Sequence, residues 1–171
     1  MNEQRHPTAC HCARCEAIAA GATPAEADAQ FQSRDADMLK RHGWLAHIVV
    51  DDPDSPTGFN WHTHGLQERH DHRDFQIVCP LPPKVAHQIG ATLADRVKAG
   101  ETFGSGQRLD QILRGGLLVK LVAATECGRP VLRIILPDRA GKLDLGEIDE
   151  PFARQYGDLD AEAWQAPPPA L

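Results

Sequence analysis

Three of the five cysteines in the chain crowd into one short segment near its N-terminus. Cys10, Cys12 and Cys15 supply thiolates, the ligands that a soft metal such as zinc prefers. The Cys-x-x-Cys spacing of the last two lets both sulfurs reach one ion from a tight turn. The sequence therefore predicts a zinc site here, with His6, His11 or a distant histidine as the fourth ligand.

Two alternatives to zinc remain open for this segment, because no second spaced pair of ligands follows nearby. Cys12 and Cys15 could form a thiol-redox pair, since the charge of Arg14 favours a thiolate. The segment could also be a plain tail with incidental cysteines. Cys79 and Cys127 stand alone, and both are predicted to be buried as small apolar residues.

Histidines and aspartates form a second candidate cluster. If the segment around them is a strand, His62 and His64 project from one face. With His72 from the next loop they would make a ligand set for zinc or iron. Asp71 or Asp74 could then orient a histidine or act as general base on a bound water. The alternative is a strand and loop that are simply solvated.

Two main helices are predicted to help position these residues. Thr23, Pro24 and Glu26 have the spacing of an N-cap, a first-turn proline and a capping-box glutamate, and Gly43 ends that helix. The second helix opens at Pro82 and carries an apolar residue at every fourth position. Its stripe consists of Val85, Ile89, Leu93 and Val97.

Several segments rich in β-branched and aromatic residues are predicted strands. They comprise residues 44–50, 59–65, 75–79, 117–124 and 131–136. Because several follow one another without an intervening helix, we expect an α+β fold with a largely antiparallel sheet of about five strands, on which the two helices pack.

Composition bounds the domain organisation, the compartment and the partners. The 171 residues are 42% hydrophobic and 25% charged, which is typical of a globular chain. We expect a Cys/His-rich arm at 1–22, a single domain at 23–157 and an acidic, Pro-rich tail at 158–171. No apolar run approaches the roughly 18 residues of a membrane span, and no secretory signal is visible, so the cytoplasm is the expected compartment.

The net charge of −6 is unevenly distributed. From residue 144 onward the chain has seven acidic residues against one arginine, whereas the preceding part is balanced. A neutral body with an acidic end matches a phosphate backbone poorly, so nucleic acid is not an expected partner. A protein or a small molecule is expected instead.

Short motifs are spread over the middle of the chain. They are Gly43-Trp44, an aspartate- and proline-bearing loop at 51–56, Thr63-His64-Gly65-Leu66, His72-Arg73-Asp74-Phe75, Gly100-Glu101, and Leu136-Pro137-Asp138 with Gly141 nearby. Together with the cysteine cluster they resemble the bacterial family called domain of unknown function 4262, over residues 42–141. His62 and Arg73 stand where the family pattern has tyrosine and proline. The resemblance implies a fold and no reaction.

Three functional hypotheses follow from these features. The first is a binding or regulatory module in which the N-terminal cysteines hold a structural zinc ion. The second is a metal-dependent hydrolase centred on His62, His64 and His72. The third is a thiol-redox or sensor protein that uses Cys12 and Cys15. If the cysteine and histidine clusters meet in space, the first two hypotheses merge into one mixed site.

Overall fold

A computed structural model of the chain describes residues 17–159. The chain divides into two compact units, with the division between Leu45 and Ala46. The predicted cysteine site at Cys10, Cys12 and Cys15, with His11, lies outside the described residues. The predicted boundaries of the N-terminal arm and the C-terminal tail stay predictions.

The first unit contains the helix α1, Pro24–His42, which begins and ends where its capping residues predict. The Thr23 backbone N–H donates to Glu26 Oε2 at 2.8 Å, and the Glu26 N–H donates to Thr23 Oγ1 at 3.3 Å. This reciprocal capping box satisfies backbone donors that the first turn leaves unpaired. Gly43 ends the helix with φ 81°, a left-handed conformation that glycine adopts without strain.

A six-stranded mixed sheet is the centre of the fold. Its strands are β1 (Leu45–Val50), β2 (Phe59–His64), β3 (Asp74–Ile77), β4 (Arg108–Leu109), β5 (Val119–Glu126) and β6 (Arg129–Ile135). Their order in the sheet is β1-β2-β3-β6-β5-β4. β3 and β6 are parallel, whereas the pairs β2–β3, β5–β6 and β4–β5 are antiparallel.

The prediction of an α+β fold is confirmed, but the sheet is mixed and has six strands, where about five strands in a largely antiparallel sheet were expected. β4 has only two residues, too few to produce a periodic pattern in the sequence. The parallel β3–β6 pair forms because the chain leaves β3, passes through a helix and the β4–β5 strands, and only then enters β6. Such long crossovers join parallel strands and leave no local signal.

Two α-helices and two 3₁₀ helices belong to the second unit within residues 46–159. α2 (Leu66–His70) was not among the predicted helices, and 3₁₀ helices span Arg114–Gly116 and Phe152–Tyr156. α3 (Pro83–Lys98) is the predicted core-facing helix. Within residues 17–159, no helix combines the length and the apolar character that a membrane span requires.

The buried face of α3 differs in one residue from the predicted stripe. Ile89, Leu93 and Val97 are buried, but Val85 is 39% exposed. A step of four residues turns about 400° around a helix, so three such steps rotate Val85 about 120° away from Val97. Residues one position later take its place, and the buried set is Ala86, Ile89, Gly90, Leu93, Ala94 and Val97.

The close approach of α3 to the sheet depends on Gly90. The indole of Trp61, which is fully buried in β2, lies where a side chain at position 90 would begin. Because residues alternate between the two faces of a strand, contact of Trp61 with α3 sends Asn60, His62 and His64 to the opposite face. The helix thus determines which face of β2 presents the histidines.

We expect the Gly90→Ala substitution to destabilise the protein by about 3 kcal/mol, since forcing extra volume into a packed core typically costs this much. A Cβ at residue 90 would lie 1.9 Å from Trp61 Cη2, a distance that the rigid ring cannot relieve by rotating its far end. Chemical denaturation measures the loss. Thr92→Ala, at an exposed position of the same helix, is the control. A Trp61→Leu background should recover part of the loss, and a full loss there would contradict the steric explanation.

Candidate metal centre

Three histidine side chains converge on the sheet face that lies away from α3. His47 comes from β1, and His62 and His64 come from β2. Each offers one ring nitrogen, and these nitrogens all lie within 4.8 Å of one another. The ring centroids of His62 and His64 are 4.9 Å apart, and those of His47 and His64 are 4.6 Å apart. His62 is buried and the other two are half-buried, so solvent can reach the cluster.

Hydrogen bonds determine which nitrogen of His62 carries its proton. The side-chain N–H of Asn60 donates to Asp52 Oδ2 at 2.9 Å, which makes Asn60 Oδ1 an acceptor. Nδ1 of His62 lies 3.2 Å from that oxygen and therefore donates to it. In the neutral ring, Nε2 then has a free lone pair. A histidine that ligates a metal is usually held in this way, with its other nitrogen donating to a neighbouring acceptor.

The hydrogen bonds of Gln76 and Arg133 indicate the same orientation of the Asn60 amide. Arginine is only a donor, and Arg133 Nε donates to Gln76 Oε1 at 2.9 Å. The amide nitrogen of Gln76 is therefore the atom that donates to Asn60 Oδ1, at 3.3 Å. A guanidinium at one end and the Asp52 carboxylate at the other thus orient two amides and, through them, the ring of His62.

Burial keeps the histidines of β2 neutral. Burial lowers the pKa of His62 to about 4; nearby Glu126 opposes this shift, and His47 adds to it. Burial also lowers the pKa of His64 to about 3, helped by the positive charge of Arg129 and by the neighbouring histidines. Neutral imidazole is the form that binds metal ions, so neither ring must lose a proton at neutral pH.

His64 adds a second indication of a ligand. Its Nε2 atom is buried and has no hydrogen-bond partner among residues 17–159. A buried polar atom without a partner costs roughly 1–3 kcal/mol, and a bound cation would remove that cost. Nε2 of His70 and Nε1 of Trp61 are in the same condition, so this observation supports a metal site only together with the clustering of the three rings.

A buried carboxylate adjoins the cluster. Glu126, at the end of β5, is 5% exposed, and its Oε1 lies 3.7 Å from His62 Nε2. Arg129 donates to Glu126 Oε2 at 2.8 Å and to Asp74 Oδ2 at 3.2 Å. Burial works against the charged form of Glu126, but the hydrogen bonds from Arg129 and Cys127 and the nearby positive charge together outweigh it and leave the pKa below its usual value. The carboxylate is therefore ionised beside the rings.

Of the predicted histidine ligands, the structure brings His62 and His64 together and replaces His72 with His47. His72 makes two backbone hydrogen bonds instead, because its Nδ1 lies 2.6 Å from Arg73 O and its Nε2 accepts from Phe103 N–H at 3.0 Å. With both nitrogens engaged, His72 holds a loop against the core.

The predicted orienting aspartates have structural roles too. Asp74 Oδ1 accepts from Thr63 Oγ1 at 2.8 Å and from the Leu66 N–H at 3.2 Å, and Asp71 ends α2. Of the two lone cysteines, Cys79 is buried as predicted. Cys127 is exposed in the β5–β6 turn, so its predicted burial was wrong; its thiol bonds to the Glu126 carboxylate.

Three residues of the site were missed in the sequence: His47, Asn60 and Glu126. His47 had one signal, as a polar residue inside the apolar run of β1. That signal could not assign His47 to the site without the knowledge that β1 lies beside β2 in the sheet. Asn60 had the strand period as a signal, since it lies two residues before His62 on β2, but the orientation of its amide depends on Asp52 and Gln76. Glu126 had no signal, because β3 and β6 separate its strand from β2 in the sheet.

The fold and the site define a mixed α+β protein with a candidate three-histidine metal centre on one sheet face. A comparison with protein-family models matched residues 38–143 to the domain of unknown function (DUF4262). The match covers more than half of the chain, so the chain belongs to this family, and the resemblance predicted from its short motifs is confirmed. Comparisons with curated proteins and with solved structures found no match.

With metal removed by a chelator, we expect acid to destabilise the protein between pH 6.5 and about 4. The folded pKa of His62 is lowered from 6.5 to about 4, so the unfolded chain binds more protons in this window and the free energy of unfolding falls as pH falls. The loss is on the order of 3 kcal/mol for His62. Denaturation midpoints across this range measure it.

The variant His62→Gln should show a flatter pH profile, because glutamine cannot take up the proton. His42→Gln, which replaces an exposed histidine of α1, serves as the control and should keep the wild-type slope. Equal slopes in all three proteins would contradict a buried neutral His62.

Proposed function

We propose that this protein is a metal-binding domain in which His47, His62 and His64 hold one divalent transition-metal ion. Zinc is the first candidate, since three imidazoles suit it and the site has nitrogen donors in reach of one point. The observation that carries the proposal is the convergence of three ring nitrogens within 4.8 Å across two strands.

The geometry requires only a small contraction of the site. Nitrogens bound to one tetrahedral zinc ion at about 2.0–2.1 Å lie about 3.4 Å apart. His47 and His64 are half-buried side chains on neighbouring strands, and rotation of their rings can provide that change. The neutral state of His62 and His64 supports the proposal as well, since protons do not compete with the ion at neutral pH.

We propose that the protein is a binding or regulatory module that uses this ion. It would act in the cytoplasm on a protein or small-molecule partner. A metal-dependent hydrolase is the second candidate. The observation that favours it is the solvent access of a site with three histidines, because catalytic zinc keeps three protein ligands and an open position for water.

The N-terminal cysteines remain a separate proposal. Cys10, Cys12 and Cys15, with His11, have the donor types of a structural zinc site, and Cys12 and Cys15 could instead act as a redox pair. Neither hypothesis depends on the histidine triad, so variants of each set separate them.

Metal content tests the triad directly. We expect the purified, untagged protein to contain zinc that is lost in His62→Ala and His64→Ala, because each substitution removes one of only three imidazole ligands. Plasma mass spectrometry measures the metal in each protein. The exposed His42→Ala is the matched control and should keep the wild-type content.

A Cys10/Cys12/Cys15→Ser variant completes the comparison. Metal that this variant retains and the histidine variants lose belongs to the triad. Metal that the histidine variants retain and the cysteine variant loses would overturn the triad and favour the N-terminal site. Wild-type protein that takes up no zinc even after dialysis against it would overturn both.

A further inference from the structure

Two hydrogen-bond acceptors, each with a lone pair to donate, lie close together beside the histidine triad. The hydrogen bond from His62 Nδ1 to Asn60 leaves His62 Nε2 with a bare lone pair. That nitrogen lies 3.7 Å from Oε1 of the Glu126 carboxylate, and both side chains are more than nine-tenths buried. A nitrogen lone pair this close to a buried anion is unfavourable unless a positive charge lies between them.

The distance between His62 Nε2 and Glu126 Oε1 indicates whether a proton or a metal ion fits between them. A proton shared by the two atoms would draw them to about 2.7–2.9 Å, and 3.7 Å is too long for a hydrogen bond. Two ligand atoms at about 2.0–2.2 Å from one ion lie about 3.4 Å apart at a tetrahedral angle and farther apart when that angle opens. The observed distance falls within the range that two ligands of one metal ion span. Among residues 17–159, the ligand atoms that lie within 4.8 Å of one another are those of the three histidines, so binding would require the Glu126 side chain to move towards the other two rings.

We infer that Glu126 is the fourth protein ligand of the metal centre, through Oε1, opposite the triad of His47, His62 and His64. This inference rests on the proposed function, because without the triad there is no ion for the carboxylate to bind. The class of ligand is a divalent cation that accepts nitrogen and oxygen donors, such as zinc or cobalt.

The surroundings of Glu126 hold the carboxylate in the required orientation. Arg129 donates to Oε2 at 2.8 Å and also donates to Asp74, which leaves Oε1 as the oxygen that lies beside His62. Carboxylates that ligate a metal are usually held in place by hydrogen bonds of this kind from neighbouring residues. Glu126 gives the site one anionic ligand, which offsets part of the charge that a divalent cation brings into a buried position.

Coordination by Glu126 has a structural consequence. β3 and β6 separate β2 from β5 in the sheet, so the ion would join the end of the β5–β6 hairpin to β1 and β2 across one face. With zinc the four protein ligands close the coordination sphere, which is the arrangement of a structural site. An open hydrolytic site would instead use water in place of Glu126.

Cobalt(II) binding to Glu126→Gln provides the test, since the visible spectrum of this ion depends on its ligands. We expect wild type to give a tetrahedral cobalt spectrum, and the variant to bind roughly 100-fold more weakly or worse, with a shifted and weaker band as water replaces the carboxylate. Glu101→Gln is the matched control, because Glu101 also pairs with an arginine, Arg96, but is exposed and is not part of the histidine cluster. It should leave affinity and spectrum unchanged.

Each other outcome has a distinct meaning. If Glu126→Gln binds cobalt with the wild-type spectrum, whether at wild-type or reduced affinity, Glu126 is not a ligand and the inference is overturned while the triad stands. If wild type binds no cobalt or zinc, the proposed triad itself fails. A circular dichroism spectrum and a melting curve of each metal-free variant confirm that the comparison is between folded proteins.

Discussion

The buried guanidinium of Arg133 is the constraint on which the polar side of this protein depends. It is fully excluded from solvent, and its five donors must find acceptors because an unpaired buried charge is very costly. Arg133 donates to Asp158 and to the Gln155 carbonyl at one end, and to Gln76 at the other. Satisfying this one side chain orients the next amide, which orients Asn60 and finally His62.

On the opposite face of the sheet, the contact between Trp61 and Gly90 is an equally important steric constraint. Trp61 fills the space that Gly90 leaves open in α3, and strand alternation then commits the neighbouring positions of β2 to the other face. A shift of one residue in the register of β2 would exchange the indole and the imidazoles between the two faces. The register of β2 therefore determines both the packing of the apolar core and the face on which the histidines lie.

Local features were predictable where a few adjacent residues determine them. The capping box of α1 involves Thr23 and Glu26, three positions apart, and both ends of that helix could be read from the sequence. His62 and His64 could be assigned to one face because a strand has a strict period of two. Val85 could not be placed correctly, since a stripe with a period of four drifts around a helix whose true period is 3.6.

The sequence by itself determined the family, the α+β class, the main helices and the pairing of two histidines on one strand face, because each depends on short-range order along the chain. Only the tertiary structure decided that His47 and not His72 completes the triad, that Asn60 sets the tautomer of His62, and that Glu126 lies beside it. The Asn60 amide is oriented by Asp52 and by Gln76 of β3, which are distant in the sequence. The other two relations join β1, β2 and β5, whose order in the sheet results from a parallel crossover that leaves no periodic signal in the chain.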